Sequence, residues 1–269
     1  SRIETYDSKG QLVKTFKSFR GSRPLKVFAS ESCIYFGEYW SNEHRDEVNI
    51  YTTEDGLNWT VAYTFEKGSI RHVHGIQYDE YRDTFLILTG DSDTESGIWG
   101  TYNFSEIWPI VVGSQNARAV SILVQENSLL VPMDSPLTQN YIMRYNFVRG
   151  SFAPISKLNG SAFHSVTIQG LYFISTVTES SKVNRVESSD IYASTDGESW
   201  VNIISLAKDC FPVSLQKITR YSEIILYQEL YLGEYLVGLA RSLNLVSEGM
   251  LLWSFKEIQE YLKTINENA

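Results

Sequence analysis

Two segments of this chain are the same object written twice: "NIYTTEDGLNWTVAYTF" (Asn49 to Phe65) and "DIYASTDGESWVNII" (Asp190 to Ile204). Each is a run of strand formers, a polar turn holding Asp-Gly, then a Trp and a second run of strand formers. The turns read Thr53-Glu54-Asp55-Gly56-Leu57-Asn58-Trp59 and Ser194-Thr195-Asp196-Gly197-Glu198-Ser199-Trp200. Local physics suffices to close them. The Asp carboxylate accepts turn N–H groups, Gly takes a positive φ, and Trp packs back over the hairpin. Weaker copies keep the layout: "GIWGTYNFSEIWPIVV" (Gly97 to Val112), "YIMRYNFVRGSFAPIS" (Tyr141 to Ser156) and the N-terminal "RIETYDSKGQLVKTF" (Arg2 to Phe16), with Asp7 and Gly10 in its turn.

Before each later hairpin lies another pair of strand-like runs. The inner ones are "PLKVFA", "IRHVHGI", "ARAVSIL", "FHSVTI" and "SLQKIT"; their partners are "CIYFGEYW", "TFLILTGD", "SLLVPMD", "LYFISTVTE" and "EIILYQEL". The period is roughly 45 residues, the blade length of propellers. The predicted fold is all-β: a β-propeller of five blades, with six as the alternative, over residues 1–253. The N-terminal hairpin is expected to complete the last blade. Residues 254–269 change period. Phe255, Ile258, Tyr261, Leu262 and Ile265 fall on one helical face, with Ser254 as N-cap and Glu257 three residues on. A short amphipathic helix packed on the propeller follows, with a partner-binding helix as the alternative.

The two Asp-Gly hairpins resemble the Asp-box, or BNR repeat, of the sialidase-like β-propeller superfamily. That family includes glycoside hydrolases that hold a substrate carboxylate with several arginines, and it also includes scaffolds without activity. The resemblance therefore implies a carbohydrate-active propeller, with Arg23, Arg71 and Arg118 on three successive inner strands as the acid-holding set. The chain departs from sialidases in its catalytic machinery. It has Arg23-Pro24-Leu25 in place of the Arg-Ile-Pro signature, and Tyr231 with Glu229 is the nearest counterpart of the Tyr–Glu pair.

Bulk properties narrow the partners. The chain has 269 residues and a formal charge of -9, with no basic stripe, which argues against a nucleic-acid backbone. No apolar run reaches a membrane span. The chain opens inside a strand-like pattern with no visible signal peptide, so upstream residues are expected to have been trimmed and the compartment is not readable. Cys33 and Cys210 have no metal-ligand spacing and read as two buried thiols. Oligomeric state is not readable either.

In a propeller blade, the start of the inner strand and the end of the second strand share one face. The second strands end on Glu38, Asp91, Asp134, Glu179 and Glu229. The inner strands start with Arg23, Arg71 beside His72, Arg118, His164 and Lys217. Charges recurring at one register suggest a functional funnel. Asp55 and Asp196, at the opposite turns, read as structural, as does Asp79. His72 and His74 share one side of their strand, and with Asp91 they have the makings of a divalent metal site. The reading preferred is no metal, with His72 an acid–base or substrate ligand and His74 structural. Trp40, with Tyr39, is placed to stack on a sugar ring. Asn42, His44 and Arg45 border the same mouth, Gln115 and Asn116 reach toward it, and Asp93 and Ser96 lie in a loop beside it.

The leading expectation is a glycoside hydrolase acting on an acidic or polar oligo- or polysaccharide. Asp91 and Asp134 would be its acid and base or nucleophile, Glu38 the third choice, and Arg23, Arg71, Arg118, His164, Glu179, Glu229 and Trp40 the substrate ligands. The alternatives are a polysaccharide lyase in which His72 takes an α-proton from a uronate, and a non-catalytic glycan- or protein-binding propeller.

Overall fold

The computed structural model describes residues 2–179, 181, 183–211, 221–244 and 246–267. Strands dominate, and the only α-helix among the described residues is at the C-terminus. No helix there is long and apolar enough to cross a membrane. The chain forms two compact units, Ser1–Ala119 and Val120–Ala269.

The first unit holds a hairpin, β1 (Ile3–Tyr6) with β2 (Leu12–Phe16), and two four-stranded antiparallel meanders. One runs β3 (Val27–Ala29), β4 (Ile34–Gly37), β5 (Val48–Thr53), β6 (Thr60–Phe65). The other runs β7 (His72–Asp79), β8 (Thr84–Gly90), β9 (Gly97–Thr101), β10 (Trp108–Val112). Val48, Ile50, Ile70, Val73, Ile76 and Ile87 bury one shared core between the meanders. A second, aromatic cluster of Phe19, Phe36 and Tyr51 takes in Phe16 and Trp59, and so seats the hairpin on the first meander.

The second unit continues the pattern. Its meanders are β11 (Leu123–Gln125), β12 (Ser128–Pro132), β13 (Tyr141–Asn146), β14 (Ser151–Lys157), then β15 (Ser161–Ile168), β16 (Leu171–Val177), β17 (Ser188–Ser194), β18 (Val201–Ala207). A third, β19 (Glu223–Leu232), β20 (Tyr235–Arg241), β21 (Glu248–Ser254), is joined to the second through the Val177–Glu223 pairing.

Three expectations change. The strand expected over "ARAVSIL" is reduced to its last residue, Leu123, at the start of β11. Ser114 instead caps a 3₁₀ turn over Gln115–Ala117 by accepting the Asn116 N–H, and the backbone after it serves side chains of the first unit. The places beside β19 where the N-terminal hairpin was expected are filled by β20 and β21, while β1 pairs with β2. The cysteines are free thiols, but Cys210 is exposed and Cys33 half-buried rather than both buried. The inner strand "SLQKIT", with Lys217, lies outside the described residues.

The repeated turns close as their sequence requires. Asp55 Oδ1 accepts the N–H groups of Leu57 (2.8 Å) and Asn58 (2.7 Å), while the Thr53 hydroxyl donates to it and accepts from Gly56. Asp196 repeats this with Glu198 (2.7 Å), Ser199 (2.9 Å) and the Ser194 hydroxyl. Gly56 and Gly197 sit at φ +69° and +74°. A Cβ at Gly56 meets only Thr5 Cγ2 at 3.8 Å, whereas one at Gly197 meets Gln125 Nε2 at 2.5 Å and Leu130 Cδ1 at 3.0 Å. Gly56→Ala is expected to cost about 1–2 kcal/mol, the left-handed penalty for a residue with a Cβ. Gly197→Ala is expected to cost more; a urea midpoint no lower than that of Gly56→Ala would contradict this.

The C-terminal helix, α1 (Phe255–Glu267), starts where the sequence places it, with the Ser254 hydroxyl accepting the Glu257 N–H at 3.4 Å. Phe255, Ile258 and Leu262 are buried against Phe173, Leu236 and their neighbours in the second unit. Each such burial contributes about 1.5–3 kcal/mol. Tyr261 and Ile265, expected on the same face, remain exposed.

Candidate functional site

Arg71, His72, His74 and Arg118 gather around Asp91, just past the end of β8. β7 supplies the histidines. Its register against β8 shifts between Val73 and Gly75, so His74 occupies a bulge. A bulge re-aims a side chain, and here it brings the tips of His72 and His74 together, with Nε2 atoms 3.2 Å apart. Gly90 makes the room: a Cβ there would lie 2.4 Å from His74 Cε1. Both rings are buried, His72 at 3 % and His74 at 1 % exposure. Tyr39 lies over His72 with ring centroids 4.3 Å apart.

Each imidazole is fixed from behind by a main-chain carbonyl. His72 Nδ1 lies 2.7 Å from the Trp40 oxygen, and His74 Nδ1 lies 3.0 Å from the Ala119 oxygen. A carbonyl only accepts, so both Nδ1 atoms carry a proton and donate it. The Nε2 atoms then face Asp91 Oδ1, at 3.3 Å from His72 and 3.2 Å from His74.

Two guanidiniums share the same carboxylate. Arg71 Nη1 donates to Oδ2 at 3.1 Å, and its Nε donates to the Ser41 carbonyl. Arg118 Nη2 lies 3.1 Å from Oδ1, and its Nη1 donates to the Asp91 carbonyl, which also accepts from Gln115. Burial opposes the ionisation of Asp91, but the imidazoles of His72 and His74 and the charge of Arg118 outweigh it and hold the carboxyl well below the usual carboxylate range. Burial pushes the His74 imidazole below its ordinary 6.5, which outweighs the pull of Asp91, so the ring is neutral at neutral pH.

The water-facing members are Asp91 and Arg71, whose side chains are 24 % and 28 % exposed. Asn42 donates to the Arg71 carbonyl, and beside it opens a hollow of about 350 Å³ lined by Trp40, Ser41, Asn42, Glu43, His44 and Asp46. Arg45 pairs with Glu95 across the loops that border it.

The other predicted site residues of this unit are placed differently. Glu38 is buried, and its oxygens accept the N–H groups of Arg20 and Asn49, with the Arg20 guanidinium 3.4 Å away. It ties strands together and does not face a mouth. Arg23 lies exposed in a bend ahead of β3. Trp40 is half-buried with the Arg20 guanidinium 4.8 Å over its ring. Asp79 accepts the Tyr81 and Arg82 N–H groups in the β7–β8 turn, the structural role expected of it.

In the second unit Asp134 is buried just past β12. Glu179 accepts from the Ser161 hydroxyl, which accepts from Asn184. His164 pairs with Glu223 at 3.3 Å, and Glu223 also pairs with Arg241. Glu229 lies within β19, and its side chain is outside the described residues. Burial opposes the charge on Glu223, but His164 and Arg241 outweigh it and lower its pKa below the ordinary 4.5. A carboxylate depressed on folding contributes stability that is present above its unfolded pKa and lost as pH falls through the folded value. The urea midpoint of the second unit is therefore expected to hold from pH 7 to about pH 5 and fall below about 4.3, with a shallower fall in Glu223→Gln. An equal fall in both proteins would contradict this.

Sequence reasoning missed the Trp40 and Ala119 carbonyls, which no side-chain pattern announces. It also missed Glu223 and Arg241, which stand opposite each other on β19 and β20.

No family model matches the sequence, and no curated protein matches it. Solved structures are similar in fold at low identity. One is the mitotic checkpoint complex, at TM-score 0.55 and 11% identity over 94% of this chain and 70% of that one. Another is a protein from Lactobacillus plantarum, at TM-score 0.50 and 12% identity over 94% and 76%. A third is an exo-beta-1,3-galactanase from Phanerochaete chrysosporium, at TM-score 0.48 and 14% identity, of which this chain spans 63% while 94% of its own length is covered. At these identities the first two likenesses bear on fold alone.

Proposed function

We propose that the cluster around Asp91 is where the protein binds and hydrolyses a glycan carrying an acidic group. In the same reading the antiparallel meanders are blades of a propeller of the Asp-box, sialidase-like type. One observation carries the site: a single carboxylate is shared by two guanidiniums. Of the two guanidiniums, Arg71 is the one that faces water. The Arg71 N–H groups not bonded to Ser41 or Asp91 have no protein partner among the described residues. Such a group pairs with an incoming carboxylate or sulfate in fork geometry.

Arg71 and Arg118 receive the acidic group, and Asp91 sets their orientation. Tyr39 and Trp40 supply aromatic surface beside them. Asp91, ionised at neutral pH, is the candidate nucleophile. Glu38 is not carried forward, because its oxygens are committed to backbone N–H groups. His72 offers no outward nitrogen, so it supports the site and does not take a proton from the sugar.

Incubation with a panel of acidic and neutral oligosaccharides, read by mass spectrometry, tests the reading. Fragments of an acidic glycan that together gain one water are expected. Fragments without that water would replace the hydrolase with a lyase, and affinity with no change of mass would replace it with a binding module.

A further inference from the structure

The geometry points to a divalent transition-metal site, zinc in the first instance, formed by His72 Nε2, His74 Nε2 and Asp91 Oδ1. The three atoms form a triangle with sides of 3.2, 3.3 and 3.2 Å. Zinc bonds of about 2.0 Å meeting at the tetrahedral angle put ligand atoms about 3.3 Å apart. Magnesium at about 2.0–2.1 Å with right angles would put them near 2.9 Å and prefers oxygen ligands. Two imidazoles and one carboxylate are a zinc donor set that leaves the fourth position for water or substrate.

Proton bookkeeping leads to the same place. Both Nδ1 atoms are committed to carbonyl oxygens, so the Nε2 atoms are the ones turned toward each other and toward the Asp91 carboxylate. The carbonyl behind each ring is the outer-shell partner that metal-binding histidines use to fix their tautomer. Gly90 leaves space for the His74 ring and for no side chain of its own. Asp91 has a lone pair to spare for the metal, because a carboxylate oxygen offers two and Arg118 takes one.

Charge selects the fourth ligand. A dication beside the part-exposed Arg71 guanidinium favours an anion as the ligand that completes the coordination. Hydroxide fits, and so does the carboxylate or sulfate of an acidic sugar, a point that rests on the glycan reading above.

The test uses the full chain, stripped with a chelator and titrated calorimetrically with zinc chloride. One equivalent is expected to bind, with affinity falling at least about tenfold in His72→Gln and in Gly90→Ala, whose methyl group displaces His74. Absence of saturable binding, or affinity that both variants retain, would overturn the site. Imidazole ¹⁵N spectra of the unmutated protein need no variant to fold. Zinc is expected to shift both Nε2 signals while both Nδ1 atoms stay protonated, and an Nε2 that carries a proton in excess zinc would overturn the site. Glycan turnover by protein that binds no zinc would sink this inference alone. Zinc binding by protein that touches no glycan would sink the glycan reading and leave the metal site standing.

Discussion

Asp91→Asn is expected to abolish turnover of the acidic glycan and to destabilise the first unit by about 3 kcal/mol, the low end for breaking a buried ion pair. The low end applies because a quarter of the Asp91 side chain is reached by water. The loss has an identifiable source. Asparagine keeps the backbone carbonyl that Arg118 and Gln115 use, but it removes the carboxylate charge with which Arg71 and Arg118 both pair. Adding Arg71→Met to Asp91→Asn should therefore recover part of the stability and none of the activity, because it removes a cation whose carboxylate partner is gone. Urea midpoints of the single and double variants measure this. A double variant less stable than Asp91→Asn would show that Arg71 contributes chiefly by packing.

Phe36→Ala is expected to cost about 3–5 kcal/mol, the range for removing a buried aromatic ring. Phe36 is 1 % exposed, and its ring meets Phe19 at 5.3 Å, Tyr51 at 5.2 Å and Trp59 at 5.0 Å. These neighbours are large and mutually packed, and Phe16 of the N-terminal hairpin stacks on Trp59, so the cavity has little freedom to collapse. β4 also leads into Glu38 and on to Trp40, whose carbonyl holds His72. Loss of the ring should therefore loosen the site as well as the core. Val27→Ala, at an exposed position, is expected to change stability by less than about 0.5 kcal/mol. Equal costs for the two substitutions would mean that the aromatic cluster does not organise this unit.

The parts of the structure that were legible in the sequence are those whose cause is local. The Asp55 and Asp196 turns close through atoms within three residues of the carboxylate, so their motif is sufficient. Three buried members of the α1 face, Phe255, Ile258 and Leu262, were readable from its period, whereas the meeting of His72 and His74 depends on the bulge at His74 and not on alternation alone. What was hidden depends on distant backbone. Trp40 and Ala119 reach the histidines through carbonyls, which every residue has. "ARAVSIL" has the composition of an inner strand, yet its Arg118 and Ala119 serve Asp91 and His74 instead of a ladder. Glu38 looks like a funnel carboxylate because a strand-ending acid reads the same whether it faces substrate or accepts N–H groups. Glu229 fits the expectation that an acid closes its strand, and that expectation gives no reason to look at Glu223. β19 runs ten residues with an irregular stretch between Leu226 and Tyr231, and the buried acid is at its start.

The Arg71 guanidinium beside Asp91 is the proposed receptor for an acid. The most direct measurement is a calorimetric titration of a uronate-containing oligosaccharide and of its neutral, carboxyl-reduced counterpart, with the unmodified protein and with Arg71→Gln. The acidic sugar is expected to bind about 10–100-fold more tightly than the neutral one, the equivalent of about 1.5–3 kcal/mol for hydrogen bonds to a charged group. That margin should vanish in Arg71→Gln while the neutral sugar is unaffected. Equal affinity for the two sugars, or a preference that survives Arg71→Gln, would contradict the assignment of this site.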